Sequence, residues 1–85
     1  MFYTYILYSE KFDRYYIGHC EDLQARLARH NNGAVNSTKK HMPWRIVYFE
    51  EFNSRAEANK RELYIKRMKS RKYIEALILK KDTGN

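Results

Sequence analysis

The sequence predicts a small α/β domain of the α+β kind, in which short strands form a sheet flanked by helices. Three observations carry that reading. Two runs dense in aromatic and β-branched residues, 2–8 and 14–19, bracket a short polar loop. A third apolar run, 44–50, stands alone between polar stretches. Three further segments have helical spacing, and each opens on a residue suited to capping. The 85 residues suffice for one domain, 1–85, with a core over about 2–80 and a short polar C-terminal tail. With 44% hydrophobic and 15% aromatic content the chain can close a core, which argues against disorder.

Residues 2–8 and 14–19 read as a hairpin joined by Ser9-Glu10-Lys11-Phe12-Asp13. Side chains alternate along a strand, so Tyr3, Tyr5 and Leu7 share one face, as do Arg14, Tyr16 and Gly18. Tyr5 and Tyr16 can therefore meet on one side. Asp22 opens a helix over about 22–31 that ends at Asn31-Asn32-Gly33. Leu23 and Leu27 give that helix an apolar edge, and Asp22, Arg26 and His30 line a second edge at four-residue intervals. Residues 33–43 hold Gly, Asn, Ser, Thr, paired lysines and the only proline, and read as the one long connection. Ile46, Val47, Tyr48 and Phe49 then form a strand expected to be buried on both faces. Ser54 and Glu57 make a capping-box pattern for a helix to about Met68. Ser70 caps a last helix over about 71–80, where Ile74, Leu77 and Ile78 recur at helical spacing, before the polar Asp82-Thr83-Gly84-Asn85.

Cys20 is the only cysteine, so no intrachain disulfide can form and a reducing cytoplasm is the expected compartment. No run approaches the roughly 20 apolar residues of a membrane span, and the N-terminus lacks the pattern of a signal peptide, so no membrane partner is expected. The net charge of +7 is unevenly placed: residues 55–81 carry ten Lys or Arg against three Glu, while the rest of the chain has seven of each sign. Lys60, Arg61, Lys66, Arg67, Lys69, Arg71 and Lys72, with His19 at the end of the second strand, are the candidate nucleic-acid contacts. Two amphipathic helices with solvated faces would show the same charge pattern.

Chemistry-bearing residues are few. Tyrosine can pass a proton, arginine can hold a phosphate oxygen, and an inward carboxylate can hold a divalent metal. Projection of the Ser54 helix sets Glu62 inside the arc between Ala58 and Ile65, facing the protein body. A carboxylate there either pairs with a cation such as Arg26 or binds a metal, and the pattern leaves both open. Arg26 could equally pair with Asp22 on its own helix. No zinc-type Cys/His set, Gly-rich phosphate loop or Ser/His/Asp arrangement competes with these residues.

Taken in order, Tyr3-Thr4-Tyr5, Tyr16-Ile17-Gly18, Arg26, His30, Pro43-Trp44 before a strand and Glu62 on the next helix resemble the GIY-YIG nuclease superfamily. The likeness spans residues 2–78. It is greatest to small stand-alone bacterial members described as excinuclease C-subunit-like, whose wording Asp22-Leu23-Gln24-Ala25-Arg26-Leu27 and Arg55-Ala56-Glu57-Ala58 match. The resemblance implies a three-stranded antiparallel sheet flanked by helices and an endonuclease hydrolysing nucleic acid, DNA first, with low sequence specificity in repair or recombination. Tyr5 and Tyr16 would flank the reacting phosphate with one of them as general base, Arg26 would hold nonbridging oxygens, and His30 could relay a proton. Glu62 would bind one Mg²⁺ or Mn²⁺. A free tyrosine has a pKa near 10, so the base would need nearby cations to lower it, with Arg26, His19 and the metal as candidates. Tyr3 stands where the first motif usually begins with glycine, and His19 where repair relatives carry lysine. The alternatives are a nucleic-acid-binding module with weak or no catalysis, and a small protein whose basic helices pair with an acidic partner. Nothing in the chain marks an oligomeric state.

Overall fold

A computed structural model describes residues 1–82. The chain runs β1 (Phe2–Ser9), β2 (Arg14–Cys20), α1 (Leu23–Asn31), a single 3-10 turn (Lys39–His41), β3 (Arg45–Phe52), α2 (Arg55–Met68) and α3 (Arg71–Asp82). The last helix extends to Asp82, two residues past the expected end, and the remainder of the predicted polar tail lies outside the described residues. The expected caps form. Asp22 Oδ1 accepts from the Ala25 amide at 3.0 Å, Ser54 Oγ from the Glu57 amide at 3.2 Å and Ser70 Oγ from the Tyr73 amide at 3.0 Å. Lys69 adopts the left-handed conformation (φ 48°) that ends α2, so α2 and α3 meet in a two-residue turn.

The three strands form an antiparallel sheet in the order β2-β1-β3. β1 is therefore the middle strand, paired on both sides, and its Thr4-Tyr5-Ile6-Leu7 stretch is fully buried. This corrects the expectation for the third strand. Its apolar residues do serve both faces, Ile46 and Phe49 one and Val47 and Tyr48 the other, but β3 is an edge strand and those residues are only half-buried. Ile6 pairs with Tyr48 and Leu7 with Ile46, which leaves Val47 as an extra residue and brings it to the same side as Tyr48.

The sheet separates two apolar clusters. On one face Tyr5, Leu7, Cys20 and Trp44 pack with Leu23 and Leu27 of α1; on the other Ile6 packs with Ile65 of α2 and Ile74 of α3. Each such side chain, fully buried, contributes about 1.5–3 kcal/mol. Thr4 adds a polar anchor, its hydroxyl donating to the Ala58 carbonyl at 2.7 Å and so fixing α2 against β1.

Gly18 faces Tyr5 across the β1–β2 ladder. A Cβ at Gly18 would lie 2.6 Å from the Tyr5 hydroxyl oxygen and 2.7 Å from Cζ, because the end of the phenol occupies the space over the glycine. Overpacking of this kind costs about 1–3 kcal/mol. Gly18→Ala should lower unfolding stability by that amount in urea; a loss under about 0.5 kcal/mol would show that the ring can step aside.

Candidate active site

The face of the sheet under α1 brings together Tyr5, Tyr16, His30 and Arg26. The Tyr5 and Tyr16 rings are 6.5 Å apart, and the Tyr16 ring is 5.0 Å from the His30 imidazole. His30 Nε2 lies 3.1 Å from the Tyr5 hydroxyl, and His30 Nδ1 lies 2.8 Å from Thr38 Oγ1. Thr38 donates its one hydroxyl proton to the Val35 carbonyl at 3.3 Å, since a carbonyl can only accept. It then accepts from Nδ1–H, which leaves the Nε2 lone pair for the Tyr5 O–H. All three groups are buried: Thr38 is 0%, His30 1% and Tyr5 1% exposed.

Burial sets the protonation states. Desolvation, aided by the nearby Arg26 and Arg29, pulls the His30 pKa down to about 4, so the imidazole is neutral. Desolvation pushes the Tyr5 phenol well above its ordinary value; Tyr16 adds to this, and the Arg26 guanidinium beside it offsets only part. The expectation that cations lower a tyrosine here therefore fails at Tyr5. Arg26 itself is half-buried and has no carboxylate partner among the described residues. Asp22 is committed to capping α1, and Glu62 is held elsewhere.

Glu62 lies on the other face of the sheet. It is one of the three buried residues of α2, with Ala58 and Ile65, as its helical projection requires, and is 9% exposed. Its partner is not Arg26: Oε1 meets His19 Nδ1 and Oε2 meets Lys66 Nζ, each at 2.6 Å. His19 pairs with Thr4 and so points towards α2, whereas Tyr16 and Gly18 point towards α1. β2 is an edge strand, and its residues contribute to both faces, Tyr16 to one and His19 to the other.

No group of three or more His, Cys, Asp or Glu gathers as a metal set among the described residues. A hydrated Mg²⁺ or Mn²⁺ needs less, one or two carboxylates with water filling the other positions. Glu62 fits that requirement: it is a buried hard oxygen donor, and the half-exposed Lys66 on one of its oxygens has a flexible stem that can withdraw.

The other candidate contacts divide. Arg61 forks onto Glu50 at 3.0–3.2 Å, and Arg71 pairs with Asp13 and with Glu75. Lys60, Arg67, Lys69 and Lys72 are exposed and have no carboxylate partner among the described residues. Two residues were missed from sequence. Thr38 orients His30, and the Asn31 carboxamide makes a two-point bond with the Trp44 backbone, 2.8 Å to its oxygen and 2.7 Å from its nitrogen. Neither has a motif to announce it. Cys20 is a buried free thiol whose pKa burial pushes up, consistent with packing. No helix among the described residues is long and apolar enough to cross a membrane.

His30 should appear in ¹⁵N–¹H correlation spectra as the Nδ1–H tautomer and stay neutral down to about pH 4. Because its folded pKa is depressed, unfolding takes up a proton between about pH 6.5 and 4, and stability should fall as pH drops through that window. Thr38→Val should remove the single tautomer while Thr38→Ser keeps it; unchanged spectra in the valine variant would contradict the assignment.

The model of the GIY-YIG catalytic domain matches residues 1–74. A UPF0213 protein of Clostridium perfringens is 41% identical over 69 residues, covering 80% of this chain and 73% of the relative. One from Staphylococcus saprophyticus is 36% identical over 63 residues, covering 73% and 77%. The solution NMR structure of a UPF0213 protein from Bacillus halodurans superposes with a TM-score of 0.56 at 31% identity, over 92% of this chain and 83% of that one. The three-stranded antiparallel sheet with its three helices is thus shared with these small proteins. With its match over most of its length, the chain belongs to the GIY-YIG family, a family of nuclease domains.

Proposed function

We propose that the protein is a divalent-metal-dependent endonuclease that hydrolyses phosphodiester bonds in nucleic acid, DNA first, with low sequence specificity, in a repair or recombination setting. The observation that carries this reading is Arg26, a half-buried guanidinium without a carboxylate partner among the described residues, set beside two tyrosines and a neutral histidine. A cation left unpaired in a partly desolvated place is a receptor waiting for an anion. A phosphodiester fits its planar, bidentate donor geometry.

The residues then divide the work. Arg26 holds a nonbridging phosphate oxygen and offsets the negative charge that grows there in the transition state. Tyr16 is only half-buried and is the tyrosine placed to meet the attacking water and take part in moving its proton. Tyr5 lies behind it, its own proton committed to His30, and acts by holding the Tyr16 side of the cleft in place. Glu62 would hold one Mg²⁺ or Mn²⁺, which supplies positive charge beside the leaving oxygen. His19 orients that carboxylate from the edge strand. The exposed Lys60, Arg67, Lys69 and Lys72 are available to the phosphate backbone without pairing to a carboxylate first.

One observation favours the binding-module alternative: both oxygens of Glu62 are already taken, one by His19 and the other by the Lys66 ammonium. The two readings separate in a cleavage assay on single-stranded, duplex and branched DNA with Mg²⁺, Mn²⁺ or a chelator. Under the nuclease reading cutting requires metal, is lost in Glu62→Ala, and falls by about 10²-fold or more in Tyr16→Phe, which removes only a hydroxyl. If the wild type cuts nothing while it and Glu62→Ala bind DNA equally, the protein is a binder.

A further inference from the structure

The cations outside α2 and α3 are not spread evenly. Between Asp22 and Glu50 there is no acidic residue at all, and the same stretch carries Arg26, Arg29, Lys39, Lys40 and Arg45. Arg45 leans on Glu10 at 4.0 Å. The other four have no carboxylate partner among the described residues.

The fold links the segments that carry these four to the tyrosine face. Arg26 and Arg29 lie on α1 close enough to His30 to act on its charge. Lys39 and Lys40 directly follow Thr38, whose hydroxyl is bonded to the same imidazole. The backbone between them is tied down: Ala34 N–H donates to the Arg29 carbonyl and Lys39 N–H to the Val35 carbonyl, both at 3.1 Å. The Trp44 indole N–H donates to the Thr38 carbonyl at 2.9 Å. The segment continues to His41, which packs edge-on against Phe12 at the hairpin tip at 5.0 Å. The result is a cationic belt on an anchored backbone, tied through the Thr38–His30 bond to the helix that carries Arg26.

We propose that the nucleic-acid backbone flanking the reacting phosphate runs along this belt, with Arg29, Lys39 and Lys40 as its contacts. This rests on the nucleic-acid reading of the site and goes beyond it, because the charge count of the sequence pointed to α2 and α3 instead. Four of the cations there, Arg55, Arg61, Lys66 and Arg71, are already engaged by carboxylates. A belt free of acids attracts a polyanion at long range and avoids breaking an ion pair to bind it. Its anchored backbone also limits the ordering entropy lost on binding.

The test is the binding of a 20-bp DNA duplex in chelator, so that no cutting occurs, over a salt titration. The exposed side chains allow Arg29→Ala/Lys39→Ala/Lys40→Ala to be combined without disturbing the core, which circular dichroism would verify. Loss of three phosphate contacts should lower the slope of log affinity against log salt by about 2 to 3. Lys60→Ala/Arg67→Ala/Lys72→Ala serves as the comparison from the other basic surface. A wild-type slope in the Arg29/Lys39/Lys40 variant would overturn the belt while leaving the nuclease reading standing, since the cleavage assay decides that separately. A wild type that fails to bind the duplex even at low salt would overturn the belt as well.

Discussion

The buried chain Thr38–His30–Tyr5 is the constraint on which the rest of this structure turns. It joins the long connection, the first helix and the middle strand through three polar side chains removed from water, each with its hydrogen-bonding partner. A buried polar group left unpaired costs about 1–3 kcal/mol, so the three positions depend on one another. The chain also fixes the Tyr5 ring, and the ring in turn requires that its cross-strand neighbour have no Cβ. The glycine of the second motif is thus explained by packing within the sheet. Trp44 and Asn31 brace the same arrangement from the β3 side, since both bond across between the end of α1, the connection and the strand entrance.

The two faces of the edge strand treat charge in opposite ways. Towards α1 a guanidinium is kept without a carboxylate partner among the described residues, beside a neutral phenol and a neutral imidazole, which preserves its capacity for an incoming anion. Towards α2 a carboxylate is held by two cationic or potentially cationic partners, which removes the cost of burying it in the absence of metal. A phosphodiester with a hydrated cation presents the complementary pair of charges. Under the proposed nuclease reading little covalent work is asked of the protein, and most of the effect would come from position and charge.

Much of the architecture was legible before any coordinates. The alternation of residues 2–8 and 14–19 located the hairpin and put Tyr5 and Tyr16 on a common face. Asp22, Ser54 and Ser70 marked the helix starts, and the projection of α2 located Glu62 among its buried residues. Other features were not legible for physical reasons. A short apolar run looks the same in a central strand and in an edge strand packed on both faces, so the rank of β1 over β3 could not be read. Averaging seven charges of each sign over the remainder of the chain hid their segregation into acid-rich and acid-free stretches.

By itself the sequence determined the element order, the helix caps, the burial of Glu62 and the family, because these follow from local periodicity and from motifs whose spacing is preserved along the chain. Tertiary structure alone decided which groups meet. Thr38 finds His30, Glu62 takes His19 and Lys66 rather than Arg26, and the phenol of Tyr5 is raised rather than lowered. Partners and desolvation depend on how separate elements close around a site, and no period of 2 or 3.6 residues encodes the distance between one element and the next.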